Sequence, residues 1–264
     1  MRTRMPAFLG FLLFLSASIA SATTVRFSTS LGTFDVNLYD ELTPETVNNF
    51  LSYVDAEAYD NTIVHRSVTE FIIQGGGYHY DGELPLTEVT AGAAVENEPL
   101  YSNLRGTIAM AKRSGNVNSA TNQWFINLDN NSANLDIQNG GFTVFGEVML
   151  DDMDVVDAIA ALPKYNLGEF VGMPLRNYSA EEIENDVLPN GDNFVLISSV
   201  TVVDPATDTL GGAEPVPNTL LPAQPSNPDS GGDSGGGAWG WPSTLAALAL
   251  FIVARVRRKS ALTS

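Results

Sequence analysis

The chain has 264 residues with 44% hydrophobic and 9% aromatic content, enough for one real core and too ordinary a mixture for disorder throughout. Its 13 Lys and Arg stand against 31 Asp and Glu, a net charge of −18 that repels nucleic acid and anionic lipid. There is no cysteine, which excludes disulfide frameworks and thiol chemistry.

At the start, Arg2 and Arg4 precede an apolar run from Pro6 to Leu15, and Ala20, Ser21 and Ala22 supply small residues at cleavage positions. Residues 1–22 read as a secretory signal peptide. The stretch "TVRFSTSLGTFDVNLY" then alternates about Leu31-Gly32, placing Val25, Phe27, Phe34, Val36 and Leu38 on one face of a hairpin. Thr43 stands as N-cap with Pro44 at the first helical position, and Val47, Phe50, Leu51 and Val54 form an apolar stripe, so a helix is predicted over 44–56. Short β-rich runs follow at 62–66, 70–75, 107–111, 123–128, 142–148 and 193–203, with a second amphipathic helix carried by Met153, Val155, Val156 and Ile159. The stretch 164–192 shows no motif. Many short strands and two separated helices argue for an antiparallel barrel or sandwich, and a closed barrel removes exposed edges. One folded domain is expected over 23–204.

From Pro205 to Gly237 the chain is rich in Pro, Gly, Ser and Asp and reads as a flexible or polyproline-like linker. Residues 238–254 carry no charge, the low end of a membrane-spanning length, and 255–264 hold Arg255, Arg257, Arg258 and Lys259. Basic residues stay cytoplasmic, so the folded domain is expected to be exported, on the periplasmic or cell-surface side of a membrane. Six of the 13 basic residues, Arg2 and Arg4 in 1–22 and four in 255–264, lie at the two ends, so the folded part is more acidic than the whole.

Candidate chemistry concentrates in "HRSVTEFIIQGGG", residues 65–77. Two histidines and no cysteine are a poor basis for a transition-metal site, so no metal is expected. The glycines Gly75, Gly76 and Gly77 lack the GxxxxGK[ST] pattern, and no GxSxG is present. His65 reads better as a core histidine than as a base. Period two places Phe71 and Ile73 on one face of a strand and Ile72 and Gln74 on the other. Arg66 cannot act as a base at neutral pH. An ion pair on a strand and a donor aimed at a bound molecule are both open.

Six motifs in order carry a resemblance: "TPETVNNFLSYV" (43–54), "YDNTIVHRSVTEFIIQGGG" (59–77), "NLRGTIAMA" (103–111), "SATNQWFINLDNN" (119–131), "FTVFGEV" (142–148) and "MDVVDAI" (153–159). Together they resemble the cyclophilins, peptidyl-prolyl cis/trans isomerases, in their shorter bacterial form. The resemblance implies a mainly β fold, a closed eight-stranded antiparallel β-barrel capped by two α-helices. It implies that Arg66 is catalytic with Gln74 and Phe71, and that Ile72, Phe125, Leu135 and Phe142 line a proline pocket. Gln123, Ala111 and Lys112 would hold the flanking peptide. Three positions depart from the pattern: Val64 replaces a usual Phe, Trp124 replaces a Phe and is expected to face inward, and Asn134 stands where relatives carry Trp or Phe.

The implied partner is a proline-containing polypeptide bound by a monomer, without cofactor, metal or nucleic acid. A proline-binding holdase without turnover is the alternative. The tail is similar to a GlyGly-CTERM sorting signal, with Gly235 to Gly237, a hydrophobic helix and a basic cluster. That similarity implies membrane attachment until a rhomboid-type protease removes the tail.

Overall fold

The computed structural model describes residues 23–205 and 215–221. The expected signal peptide, the hydrophobic segment and the basic tail lie outside the described residues. Among the described residues, no helix is long and apolar enough to cross a membrane.

The chain opens with β1 (Thr24–Thr29), β2 (Gly32–Leu38) and α1 (Pro44–Asp55). Five short strands follow: β3 (Thr62–Ile63), β4 (Arg66–Val68), β5 (Ile72–Gly75), β6 (Tyr78–His79) and β7 (Thr87–Glu88). Next come β8 (Thr107–Met110), β9 (Trp124–Asn127), the one-turn α2 (Ser132–Leu135), β10 (Val144–Val148) and α3 (Met153–Ala161). The order ends with β11 (Lys164–Leu167), β12 (Phe170–Pro174), α4 (Ala180–Glu184) and β13 (Leu196–Asp204).

Eleven strands form one curled antiparallel sheet in the order β4-β5-β9-β8-β10-β2-β1-β13-β3-β6-β7. No ladder joins β4 to β7 among the described residues. The run 62–68 instead contributes two strands far apart in this order: β3 pairs with β13 and β4 with β5, with only Val64 and His65 between them. Val64 N donates to the Val195 carbonyl and His65 N to the Gln74 carbonyl, so pairing changes partner from one residue to the next.

The predicted hairpin face is the core. Val25, Phe27, Phe34, Val36 and Leu38 are all buried, Phe27 stacks on Phe34 at 4.7 Å, and the Trp124 ring meets Phe27 edge-on at 5.1 Å. Helix α1 adds Val47, Phe50 and Val54 and α3 adds Met153, Val156 and Ile159, all within this main cluster. Phe50 touches the rings of Tyr59 and Phe145 and is fully buried, so Phe50→Ala would cost about 3 to 5 kcal/mol.

The start of α1 differs in its cap. Pro44 begins the helix as predicted, but Thr43 makes no side-chain cap and its hydroxyl lies against the Tyr39 carbonyl. The Glu98 carboxylate accepts from Thr46 N at 2.9 Å and the Thr46 hydroxyl at 2.7 Å. An acid from a distant loop thus satisfies a helix N-terminus, where negative charge is favoured.

The motif-free stretch 164–192 folds into the β11–β12 hairpin and α4, whose start is a capping box of Ser179 and Glu182. It buries Met173, Leu175 and Tyr178 with Ile63 and Phe194 as a separate apolar cluster. The hairpin closely approaches the strand that bears Arg66. A Cβ on Gly172, at φ +75°, would lie 2.8 Å from the Ser67 carbonyl oxygen.

A further difference concerns the expected linker. Residues 215–221 lie along the segment 99–102: Ser102 N donates to the Val216 carbonyl and Asn218 N to the Leu100 carbonyl, each at 2.8 Å.

Candidate active site

Register builds the site. Across neighbouring strands Arg66 pairs with Gln74, Gln74 with Phe125, Phe125 with Ala109 and Ala109 with Val144. Paired residues point to one face, so this row is continuous over five strands. The adjacent row, Ser67, Ile73, Ile126 and Ile108, points to the opposite face, where the three isoleucines join the main core. The hydrophobic period therefore separates core from site within the same few residues.

On the site face, Ile72, Ala109, Phe125, Leu135 and Val144 form a second apolar cluster, with Phe71, Ala111 and Phe142 packed against it. Phe71 thus sides with Ile72, contrary to the expectation that it shares a face with Ile73. The reason is local: β5 starts only at Ile72, and Phe71 ends the turn after Glu70, which takes φ 55°, so strand period does not govern it. Phe142 meets Phe125 edge-on at 5.7 Å, and its backbone N donates to the Leu135 carbonyl at 2.9 Å. Trp124 faces the core, as expected.

The polar side adjoins this patch. Arg66 Nη1 donates to Gln74 Oε1 at 3.3 Å, and Gln74 Nε2 donates to Gln123 Oε1 at 2.9 Å. Arg66 is half-buried, which pulls its pKa down from the usual arginine range without discharging it. Among the described residues the ion pairs are Arg26 with Asp35 and Arg105 with Asp157, so the strand ion pair left open for Arg66 is not formed. A cavity of about 230 Å³ continues from the glutamines, lined by Ala111, Lys112, Arg113, Ser119, Thr121 and Tyr78 among others.

Lys112 joins the two sides. Its Nζ donates to the Gly141 carbonyl at 2.5 Å and the Asn139 carbonyl at 2.9 Å, and stands 4.9 Å from the centre of the Phe142 ring. Burial pulls its pKa down to about 8. Ala111 N already donates to the Gln123 carbonyl at 2.9 Å.

The glycines of the opening motif provide clearance. A Cβ on Gly75 would lie 2.7 Å from Trp124 Cζ2, one on Gly76 2.8 Å from Trp124 Nε1, and one on Gly77 2.8 Å from Gln123 Nε2. The first two admit the indole to the core and the third admits the site glutamine. His65 is buried with its ring edge-on to Tyr78 at 5.1 Å, and burial with the charge of Arg66 lowers its pKa to about 4. It is a neutral core side chain, as the sequence suggested, rather than an exposed base.

All ten sequence-predicted residues thus fall in one connected region. Tyr78, Arg113, Ser119 and Thr121 also line it and carried no sequence signal. Among the described residues no group of His, Cys, Asp and Glu is arranged to hold a metal ion.

A mainly β protein with an apolar cluster, an arginine hydrogen-bonded to a glutamine and a polar recess side by side has the parts of a site for a small apolar group with polar flanks. The family model for cyclophilin type peptidyl-prolyl cis-trans isomerase/CLD matches residues 24–177. The chain belongs to that family, and its activity is peptidyl-prolyl cis-trans isomerisation. A peptidyl-prolyl cis-trans isomerase of Acinetobacter baylyi is 41% identical over 165 residues, covering 61% of this chain and 85% of the relative. Peptidyl-prolyl cis-trans isomerase B of Escherichia coli is 38% identical over 165 residues, covering 60% of this chain and 97% of the relative. A solved cyclophilin type isomerase of Cryptosporidium parvum shares the fold, with a TM-score of 0.51 at 22% identity over 69% of this chain and 98% of that one.

Proposed function

We propose that Arg66 catalyses rotation of the X-Pro bond by donating a hydrogen bond to the prolyl nitrogen while the ring rests on Phe71, Ile72, Phe125, Leu135 and Phe142. The barrier of about 18 to 20 kcal/mol reflects delocalisation of the nitrogen lone pair into the carbonyl. Twisting the bond returns that lone pair to nitrogen, so a donor placed there stabilises the transition state more than either planar form. The carrying observation is the chain Arg66, Gln74, Gln123. One guanidinium N–H is committed to Gln74, which restrains where the group sits, and an arginine has five donors.

The apolar cluster would hold the pyrrolidine ring out of water while Gln123 and the Ala111-Lys112 segment hold the flanking backbone. The carbonyl side of the bond then swings against a fixed ring. Uncatalysed, the step takes tens to hundreds of seconds, long enough to limit folding. The run 62–68 supports our proposal that the sheet closes toward the expected eight-stranded barrel, since β3 pairs with β13 and β4 with β5 across only two intervening residues.

The test is relaxation of a short X-Pro peptide with the full chain and its Arg66→Ala form. Loss of at least about tenfold in kcat/KM, equivalent to about 1.4 kcal/mol, is expected. An Arg66→Ala protein as fast as the parent refutes the mechanism. Peptide binding without acceleration by the parent supports the holdase instead.

We further propose that the clients are exported proteins, on the strength of the N-terminal sequence and the basic-flanked segment 238–254. Fractionation of cells expressing the chain checks this, and recovery of the intact chain in the cytoplasm rejects it.

A further inference from the structure

On the proposed reading of the site, the loop 135–142 contributes two walls of the proline pocket, Leu135 and Phe142, and it closes on itself through Gly141 N to the Gln138 carbonyl and Phe142 N to the Leu135 carbonyl. Asn139, Gly140 and Gly141 take successive φ values of 52°, 76° and 75°, and Ile137 is half exposed. Glycine takes such values freely and asparagine tolerates them, so such a loop can take several shapes until its surroundings select one. Several neighbours do so: Asn139 Nδ2 donates to the Arg113 and Asn116 carbonyls, and Asn103 Nδ2 donates to the Phe142 carbonyl. Lys112 Nζ holds the Asn139 and Gly141 carbonyls, and Asn97 Nδ2 lies 2.9 Å from the carbonyls of both Gly140 and Gly141. Asn218, from the stretch that composition marks as linker, donates through Nδ2 to the Asp136 carbonyl at 2.9 Å and the Pro99 carbonyl at 3.2 Å.

Residues 215–221, "PVPNTLL", are built for this place. Hydrogen bonds to the segment 99–102 use the Val216 carbonyl and the Asn218 N–H, so Pro215 and Pro217 fall where no N–H is required. Pro217 bridges to Tyr101, and its carbonyl accepts from the Ser102 hydroxyl at 3.2 Å. Tyr101 packs on the pocket's apolar cluster and meets Tyr39 edge-on at 5.9 Å. Leu221 closes the contact, its Cδ1 3.1 Å from where a Gly141 Cβ would stand.

We propose that the strap 215–221 is a working part of the isomerase site, with Asn218 a positioning residue that holds the loop 135–142 and, through it, the Phe142 wall of the proline pocket. Among the described residues no hydrogen bond joins the Arg66, Gln74, Gln123 chain to the strap. The strap therefore acts on how firmly the proline ring is gripped, in the planar and twisted states alike. An interaction common to ground and transition states appears in KM and leaves kcat unaltered.

The experiment compares the full chain, Asn218→Ala, and a full chain with 215–221 replaced by seven Gly and Ser residues, using a short X-Pro peptide as substrate. Asn218→Ala is expected to raise KM about fivefold, the size of the one hydrogen bond it makes to the loop at the Asp136 carbonyl, with kcat unchanged within about twofold. The replaced chain should show a larger rise, again with kcat and melting temperature near the parent's. A replaced chain with the parent's KM overturns the proposal. So does a rise in KM accompanied by falling kcat and melting temperature, which would mark general loosening.

Discussion

Gln74 faces Arg66 twice over: the two are register partners across β4 and β5, and their side chains also meet, Arg66 Nη1 to Gln74 Oε1 at 3.3 Å. The sheet therefore sets where the guanidinium begins and the amide sets where it ends. Gln74→Leu keeps the volume and removes both this acceptor and the donor to Gln123. It is expected to lower kcat about tenfold with KM little altered, the pattern of an interaction that matters most in the transition state. Steady-state kinetics on one peptide decide it, and a change confined to KM would reassign Gln74 to binding.

Gly77→Ala tests the clearance argument. Its Cβ would meet Gln123 Nε2 at 2.8 Å, and that amide must turn away from Gln74. An activity loss of about three- to tenfold is expected, because small displacements of positioning groups are costly. The melting temperature should stay near the parent's, since the obstructing atom is the end of a flexible side chain. Gly75→Ala, whose Cβ would meet the buried Trp124 ring, should instead lower thermal stability markedly.

Lys112 gives the site a pH dependence on the alkaline side. Its native pKa of about 8 lies below the ordinary lysine value of 10.5 because of burial. Below pH 8 the ammonium holds the Asn139 and Gly141 carbonyls and faces the Phe142 ring; above it the charge is gone. KM is expected to rise as pH climbs through about 8, and Lys112→Met should flatten that profile. Between pH 8 and 10.5 the unfolded chain retains a proton that the native state has shed, so Lys112 itself makes folding more favourable as pH rises there. Weaker binding in that window is then not unfolding, and circular dichroism on the same samples separates the two.

His65 acts on the acid side. Its native pKa of about 4 lies below the ordinary 6.5, so as pH falls below 6.5 the unfolded chain takes up a proton that the native state refuses. Stability is lost between pH 6.5 and 4, by up to about 3 kcal/mol from this residue. Urea unfolding at pH 7 and pH 4.5 should show a smaller difference for His65→Gln than for the parent. Equal differences would mean that carboxylates alone govern acid sensitivity.

The hydrophobic period and the family motifs make most of this legible in the sequence. The first hairpin, α1 and α3 follow from alternation and stripe alone, because one buried face fixes them, whereas the inward turn of Trp124 is implied by the resemblance to the cyclophilins. Phe71 was misplaced because a residue in a turn does not obey strand period. The Glu98 cap lies 52 residues from Thr46 in sequence, and no local pattern connects the two. The hairpin at 164–174 and α4 escaped because short elements that bury a satellite cluster have too few residues to show a period. The strap at 215–221 was hidden by composition: its prolines suggest an unpaired linker, and only the pairing shows that they alternate with the residues that bond.

The bent run 62–68 also sets an order of events at synthesis. Its first half pairs with β13, the last strand, and its second half carries Arg66 to β5. Strand β13 also pairs with β1, near the other end of the domain. A chain emerging residue by residue can gather β8, β9 and β10 early, but the strand that aims the arginine has no far anchor until residue 197 has left the ribosome. The enzyme would thus reach its own folding nearly complete before it could turn over a single proline, including those in its own sequence.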